Sequence, residues 1–358
     1  MERLPGGFPD VLAALLDRRD LPPIWASWAM EQIMLGEATP AQIAGFAVAL
    51  RAKGETPGEV AALANCMLRH SVTLDVPGPL LDVVGTGGDR AGTVNISTMA
   101  AIVCAAAGAR IVKHGNRAAS SSTGTADVLE ALGLPLDLTP DQVAQCAQLA
   151  GIAFAFAPTF HPALRFAGPP RREIGIPTVF NILGPLANPA RPKAALIGCA
   201  DARLAPVIAG AALAAGQCAL VVRGTDGLDE ISPEVVTEVW DTTRGVLESG
   251  VLEPSEFGLS GVTVADLRGG LAAENADILR RVLAGDREDR LGAIADTVCL
   301  NAAAALVADS AARGEEQLGS LRDRISAQLP RARGALTSGS AAGVLHRWIE
   351  TARSVQRT

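Results

Sequence analysis

The chain predicts an α/β protein, with a mostly parallel central sheet flanked by helices and a small all-helical unit beside it. Three observations predict this. Short apolar runs alternate with helical stretches from about residue 80 onward. The first 70 residues show helical spacing and no strand, and a glycine-rich loop directly follows the first strand. Strands alternating with helices mean βαβ units and a parallel sheet.

The elements follow in order. Over residues 10–70, Leu12, Leu15 and Leu16 have helical spacing, as do Ile24, Trp28 and Leu35. Thr39 is placed to cap a helix that Pro40 opens; Gly54 and Pro57 interrupt, and another helix follows to about His70. Leu80–Val84 reads as a short buried strand, with a helix from about Ile96 to Ala107 and a second strand at Arg110–Val112. Helices are predicted over roughly 125–132 and 140–149, and a third strand at Ala153–Phe156. Further strands are expected near 194–198 and 218–222, with a helix from about 202 to 215 between them. Residues 169–192 contain six prolines and interrupt the alternation. Val236–Trp240 and the segment to about 248 suggest a hairpin, and from about 270 the chain reads as helical.

Composition bounds the function. At about 100–200 residues per domain, 358 residues suit two domains or one large one. Hydrophobic residues make up 49%, aromatics 3%, and tyrosine is absent, so Ala, Leu, Val and Ile build the core. A net charge of −7 argues against a general nucleic-acid binder, which carries a basic face. Six cysteines, none in a CxxC pair and most in apolar runs, read as buried reduced thiols and suit a cytoplasmic protein. No signal-peptide pattern opens the chain, and the apolar stretch Ala205–Val222 divides into a helix and a strand, so no membrane span is expected.

Four segments carry the chemistry of anion binding. Gly85-Thr86-Gly87-Gly88-Asp89 follows the first strand; it is either a tight turn or a nest of N–H groups for phosphate, and no Gly-Lys-Ser/Thr follows to make it a P-loop. Thr93, Asn95, Ser97 and Thr98 cluster around Ile96 at the start of an apolar helix, where free N–H groups favour anions. Lys113-His114-Gly115-Asn116-Arg117-Ala118-Ala119-Ser120-Ser121 is read as a loop after the second strand, with two cations, an amide and two hydroxyls together. His114 in such a loop more often orients than catalyses. Finally, the adjacent carboxylates Asp229 and Glu230 suit Mg²⁺, which takes one or two carboxylates plus water and substrate phosphates.

GTGGD, NIST, KHGNRAASS and GTADVLEALG, in this order, resemble anthranilate phosphoribosyltransferases, as do FNILGPL at 180–186, Gly227-Leu228-Asp229-Glu230 and Leu300-Asn301-Ala302. The resemblance covers nearly the whole chain. It implies a fold of the nucleoside phosphorylase/phosphoribosyltransferase type, with residues 1–75 and about 170–192 as the small helical domain and 76–169 and 193–358 as the large α/β domain. It implies a cytoplasmic homodimer that transfers phosphoribosyl from 5-phosphoribosyl 1-pyrophosphate to anthranilate, with Mg²⁺ as cofactor and neither nucleic acid nor membrane as partner. Residue by residue, it implies that Gly85, Gly88, Asp89, Thr93, Asn95, Ile96, Ser97, Thr98, Lys113 through Ser121, and Thr125 hold the phosphoribosyl donor. Ser97, Asp229 and Glu230 match metal ligands; Gly85, Asn116 and Arg171 match contacts to anthranilate. Lys113 and Arg117 are expected to act electrostatically, without a covalent nucleophile. The chain departs from the family pattern at Pro177, at Ser122-Thr123 and near 286–298. Two alternatives stand beside this reading: a pyrimidine nucleoside phosphorylase, and a non-enzymatic relative that binds nucleic acid.

Overall fold

The computed structural model describes residues 4–118 and 123–357. Four helices come first: α1 (Phe8–Leu16), α2 (Pro23–Leu35), α3 (Pro40–Lys53) and α4 (Pro57–Arg69). Their starts are written locally. The hydroxyls of Thr39 and Thr56 accept the N–H groups of Gln42 and Glu59, each at 3.3 Å, with proline at the first helical position. Val11, Leu15, Met30 and Ile33 form the core of this unit, whereas Leu16, Ile24 and Leu35 face outward. Spacing therefore identifies the helices but does not by itself say which apolar side chains they bury.

The remainder alternates as expected: β1 (Leu81–Gly85), α5 (Ile96–Ala106), β2 (Ile111–Gly115), α6 (Thr125–Leu132), α7 (Pro140–Leu149), β3 (Ile152–Phe156), α8 (Ala157–Phe160), α9 (Gly168–Ile174), β4 (Ala194–Gly198), α10 (Ala205–Ala214) and β5 (Cys218–Gly224). The predicted hairpin forms as β6 (Thr237–Asp241) and β7 (Glu248–Leu252). Helices α11 (Ala272–Leu283), α12 (Leu291–Ala312), α13 (Leu321–Thr337) and α14 (Ser340–Gln356) end the chain.

The seven strands lie in the order β3-β2-β1-β4-β5-β6-β7, the first five parallel and the last two antiparallel. One face, including Val83, Leu196 and Leu220, shares a core with α5 and α12. The other, including Val84, Ile197 and Val221, shares a core with α10 and the N-terminal helices. Val179, Phe180, Ile182 and Leu183 from the proline-rich segment join that second core. Among the described residues, α12 is long and apolar enough to cross a membrane, but most of it is buried in the fold, which makes it a core helix. The apolar stretch 205–222 divides, as expected, into α10 and β5. The cysteines are free, and all but the half-buried Cys218 are buried.

One buried ion pair pins the N-terminal helices. Glu59 accepts from Lys53 Nζ at 2.8 Å, from the Leu21 N–H at 2.8 Å and from the Thr56 N–H at 2.8 Å. The Lys53 and Glu59 side chains are 2% and 0% exposed, and Lys53 Nζ also donates to the exposed Asp20 at 2.7 Å. Removing Glu59 leaves a buried ammonium with only a solvated partner, and the Leu21 and Thr56 N–H groups without this acceptor. Glu59→Ala is expected to lower the unfolding free energy by about 3–5 kcal/mol in chemical denaturation. A loss under about 1 kcal/mol would show that the pair behaves as a solvated one.

Candidate active site

Strand β1 lies between β2 and β4, with the chain continuing to β3 on one side and to β5 on the other. This is the topological switch point of the sheet, and ligands bind beyond the carboxyl ends of the strands at such points. Gly85 and Gly198 end β1 and β4 in register. A Cβ on Gly85 would come within 2.4 Å of Asp229 Oδ2, and one on Gly198 would overlap the Asp229 backbone. The two glycines thus let the loop after β5 lie directly across the ends of β1 and β4.

The glycine loop is shaped by this contact. Gly87 N–H donates to Asp229 Oδ2 at 2.7 Å, and Gly87 and Gly88 have φ of 67° and 88°. Those conformations suit glycine. Gly88 is exposed, and Asp89 is half-buried with its carboxyl beside that of Asp229. The Ala91 N–H is taken by Asp89 Oδ1 at 3.2 Å.

The start of α5 faces the same place. Asn95 is the residue before the helix, yet its side chain caps nothing; its Oδ1 accepts from Asn275 Nδ2 at 3.1 Å. Thr93 bridges to Arg268. Ile96 is a core side chain, and its N–H donates to Val94 O at 2.7 Å, so its part in the site is positional. Glu230 accepts from the Ser97 N–H, and Ser97 Oγ is 3.2 Å from Lys113 Nζ. Thr98 Oγ1 is buried without a hydrogen-bond partner.

Lys113 and His114 correct the sequence reading. They belong to β2 and not to the loop after it, because β2 stays paired with β3 as far as Gly115↔Phe156. Alternation along the strand sends them to opposite faces. Lys113 is buried and donates to Val83 O and Ser97 Oγ. Burial draws its ammonium below the usual lysine range, against the pull of Asp82, Glu230 and Asp229. His114 Nδ1–H donates to Gly184 O at 3.0 Å, and Nε2 is buried with no hydrogen-bond partner. His161 lies edge-on to it at 5.1 Å, and its Nε2–H donates to Ala187 O at 2.8 Å.

Arg117 has carboxylate partners that its place in the sequence does not announce. Its guanidinium is exposed and donates to Glu130 at 2.8 and 3.0 Å and to Asp127 at 3.0 Å, both on α6. It is turned to these carboxylates, which fasten the loop to α6. The Ala118 N–H reinforces this by donating to Asp127 Oδ2 at 3.0 Å. Asn116 Oδ1 accepts the Arg117 N–H at 2.8 Å, and Thr125 opens α6 beside Gly115. Ala119, Ser120, Ser121 and the divergent Ser122 lie outside the described residues, while Thr123 donates to Gly270 O at 2.9 Å. Arg171, on α9, is half-buried over the Phe180 ring at 5.5 Å, and has no carboxylate partner among the described residues.

Three supporting side chains escaped the site as read from sequence. Asp82 is buried on β1 with its carboxyl pushed up to about 6 by burial, opposed by Lys113 and by Asn188. Asn188 Nδ2 donates to Asp82 Oδ2 at 2.9 Å and Val112 O at 2.7 Å, tying β1 to β2. Asn301 on α12 accepts the Ile231 N–H at 3.0 Å and fixes the acidic loop. The only signal was a polar residue inside an apolar run.

The match to known proteins spans both units. Residues 77–342 match the model described as "Glycosyl transferase family, a/b domain", and residues 9–71 match the "Glycosyl transferase family, helical bundle domain". The chain is 54% identical to the anthranilate phosphoribosyltransferase of Salinispora arenicola, covering 98% of each. It belongs to the anthranilate phosphoribosyltransferase family. The enzyme of Saccharopolyspora erythraea is 51% identical over 100% of this chain and 99% of its own. The crystal structure of the Thermus thermophilus anthranilate phosphoribosyltransferase superposes with a TM-score of 0.86 at 39% identity, covering 96% of this chain and 99% of that one. The Saccharomyces cerevisiae enzyme in complex with PRPP and Mg superposes at 0.85 with 29% identity, covering 97% and 98%.

Within this anthranilate phosphoribosyltransferase-family site, the carboxylates fit a hard dication. Burial pushes the Asp229 carboxyl up to about 7, with the charge of Asp89 adding to it. Burial, then Asp229, holds Glu230 well above the carboxylate range, with Lys113 opposing. The nearby Lys113 ammonium does not offset the burial of these acids. Among the described residues no third carboxylate, histidine or cysteine forms a tight cluster with both. Two carboxylates and a hydroxyl suit Mg²⁺, which keeps water and substrate oxygens in its remaining positions.

The histidines titrate the other way. Burial, then His161, lowers His114 from 6.5 to about 3, and burial lowers His161 to about 4. Below about pH 6.5 the unfolded chain binds protons that the folded imidazoles refuse. Their contribution to stability is therefore present above that range and is lost as pH falls toward the folded values. Histidine NMR is expected to show His114 neutral down to about pH 5. Titration near 6.5 would contradict the buried, neutral assignment.

Proposed function

We propose that this chain transfers the phosphoribosyl group of 5-phosphoribosyl 1-pyrophosphate to the amine of anthranilate, giving N-(5-phosphoribosyl)anthranilate and pyrophosphate in tryptophan biosynthesis. One observation carries the reading. The glycine loop, the uncapped start of α5, Lys113 and the Asp229-Glu230 pair converge at the switch point between β1 and β4. A phosphate nest, a fixed cation and a dication site in one crevice suit a substrate with a pyrophosphate leaving group.

The amine lone pair attacks ribose C1 and the C1–O bond to pyrophosphate breaks, its electron pair leaving with that oxygen. The amine proton is then released. Lys113 and the loop N–H groups are placed to stabilise the negative charge that develops on the leaving group. Two donors of Lys113 are held by Val83 O and Ser97 Oγ, so the ammonium is aimed before substrate arrives. Mg²⁺, held by Asp229, Glu230 and Ser97, would supply further positive charge to the pyrophosphate oxygens when bound. Asn95, Thr93, Thr98, Gly88 and Asp89 line the donor side in this reading. His114, a weak base with an open Nε2 acceptor, orients rather than abstracts. Arg117 holds the loop against α6.

Arg171 is assigned to the anthranilate carboxylate. A half-buried guanidinium without a carboxylate partner is poised for one, and burial lowers its pKa. Gly85 and Asn116 complete that side. We place residues 1–75 and about 170–192 in a helical domain and the rest in an α/β domain; the shared core of Val179–Leu183 with α2–α4 supports this. A cytoplasmic homodimer is the proposed assembly, supported by the exposed Leu16, Leu35 and Val48 on the N-terminal helices.

The test is loss of anthranilate fluorescence with phosphoribosyl pyrophosphate, with and without Mg²⁺. Turnover that needs both donor and Mg²⁺ is expected; Mg²⁺-independent turnover would overturn the role of Asp229 and Glu230. In the same assay Arg171→Ala is expected to raise the KM for anthranilate by about tenfold or more, a loss on the scale of a charged hydrogen bond, with the donor KM little changed. Equal effects on both would refute the assignment.

A further inference from the structure

Away from the switch point, the packed pair α2 and α4 brings together a thiol, an imidazole and a carboxylate. Cys66 and His70 stand one turn apart on α4, and Glu31 faces them from α2. Cys66 Sγ is 3.2 Å from Glu31 Oε2, and His70 Nε2 is 2.7 Å from Glu31 Oε1. One donor atom from each lies within 4.8 Å of the other two. It is the one such three-residue group among the described residues.

The surroundings allow an ion to enter. Cys66 is buried, but the His70 and Glu31 side chains are 21% and 35% exposed, so the donors form the floor of a solvent-reaching site. Arg69 leans on Glu31 at 3.4 Å, yet the same nitrogen already donates to Ser27 Oγ at 2.9 Å. That arginine can remain on Ser27 when the carboxylate turns to a metal. Tetrahedral zinc holds sulfur at about 2.3 Å and nitrogen or oxygen at about 2.0–2.2 Å. Donor pairs at 2.7 and 3.2 Å need only small side-chain rotations to reach such a shell.

We propose that Glu31, Cys66 and His70 form a site for a borderline-soft dication of the Zn²⁺ class, with water as fourth ligand, clamping α2 to α4. The donor chemistry separates it from the carboxylate pair of the active site. A thiol and an imidazole favour zinc over magnesium, whereas Asp229 and Glu230 offer only oxygen. Binding converts the thiol to thiolate and releases its proton, the metal–sulfur bond replacing the hydrogen bond to Glu31. None of the three residues touches the reaction crevice, so the clamp acts on the helical unit and not on the chemistry.

The full-length protein, stripped of metal and kept in excess Mg²⁺ to occupy the active site, is titrated with Co²⁺. One equivalent is expected to bind with a sulfur-to-cobalt charge-transfer band, to be displaced by Zn²⁺, and to raise the melting temperature. Cys66→Ser is expected to abolish the band while anthranilate turnover is retained, and His70→Ala to weaken binding by at least about tenfold. Circular dichroism checks folding, and Cys66→Ala replaces Cys66→Ser if that variant is unfolded. Absence of the band, a requirement for large excess of Co²⁺, or a band that survives replacement of Cys66 would overturn the site.

Discussion

The contact on which the site depends is the Asp229 carboxylate lying across the glycine ends of β1 and β4. Its Oδ2 receives the Gly87 N–H at 2.7 Å, and its backbone fills the space that a side chain at Gly198 would need. This single approach joins the loop after β5 to the loop after β1. It explains why glycine ends both strands, and it places an acidic pair over a nest of N–H groups. Without it, the glycine loop would be a turn on a sheet edge and Glu230 would have no reason to meet the Ser97 N–H.

Charge gives the arrangement its direction. Asp82, Lys113, Asp229 and Glu230 are all withdrawn from water along and beyond β1 and β2, and three of the four are acids. Burial raises Asp229 and Glu230, neighbouring carboxylates add to it, and one ammonium does not offset the sum. The protein pays for this imbalance with Asn188, Asn301 and the backbone donors that hold the acids in place. The fold positions the cluster, but a dication and an anionic substrate complete it.

Much of this was legible in the residues. Alternating apolar runs gave most of the strands within a residue or two, though β2 runs three residues past its expected end, and Thr39-Pro40 announced a helix start that the structure forms with a reciprocal cap. GTGGD, NIST and Asp229-Glu230 each marked a loop that reaches the switch point. What was not legible is relational. A buried Lys113 is indistinguishable from a loop lysine until the register with β3 extends the strand through it. Arg117 resembles a substrate cation until Asp127 and Glu130, ten and thirteen residues later, occupy its guanidinium. Gly198 closes an ordinary apolar strand, and only the backbone of Asp229 above it shows why it has no side chain. Leu16 and Leu35 share the helical spacing of their buried neighbours, yet both side chains face outward.

The central claim is that Asp229 and Glu230 form one dication site completed by the donor's pyrophosphate. Its most direct measurement is Mn²⁺ binding, followed by electron paramagnetic resonance, in the presence of phosphoribosyl pyrophosphate. Wild-type protein is compared with Asp229→Asn and Glu230→Gln. The account predicts that each substitution weakens Mn²⁺ binding by at least about tenfold, the scale at which even a residue supporting a metal ligand contributes. Unchanged Mn²⁺ affinity in both variants would contradict it.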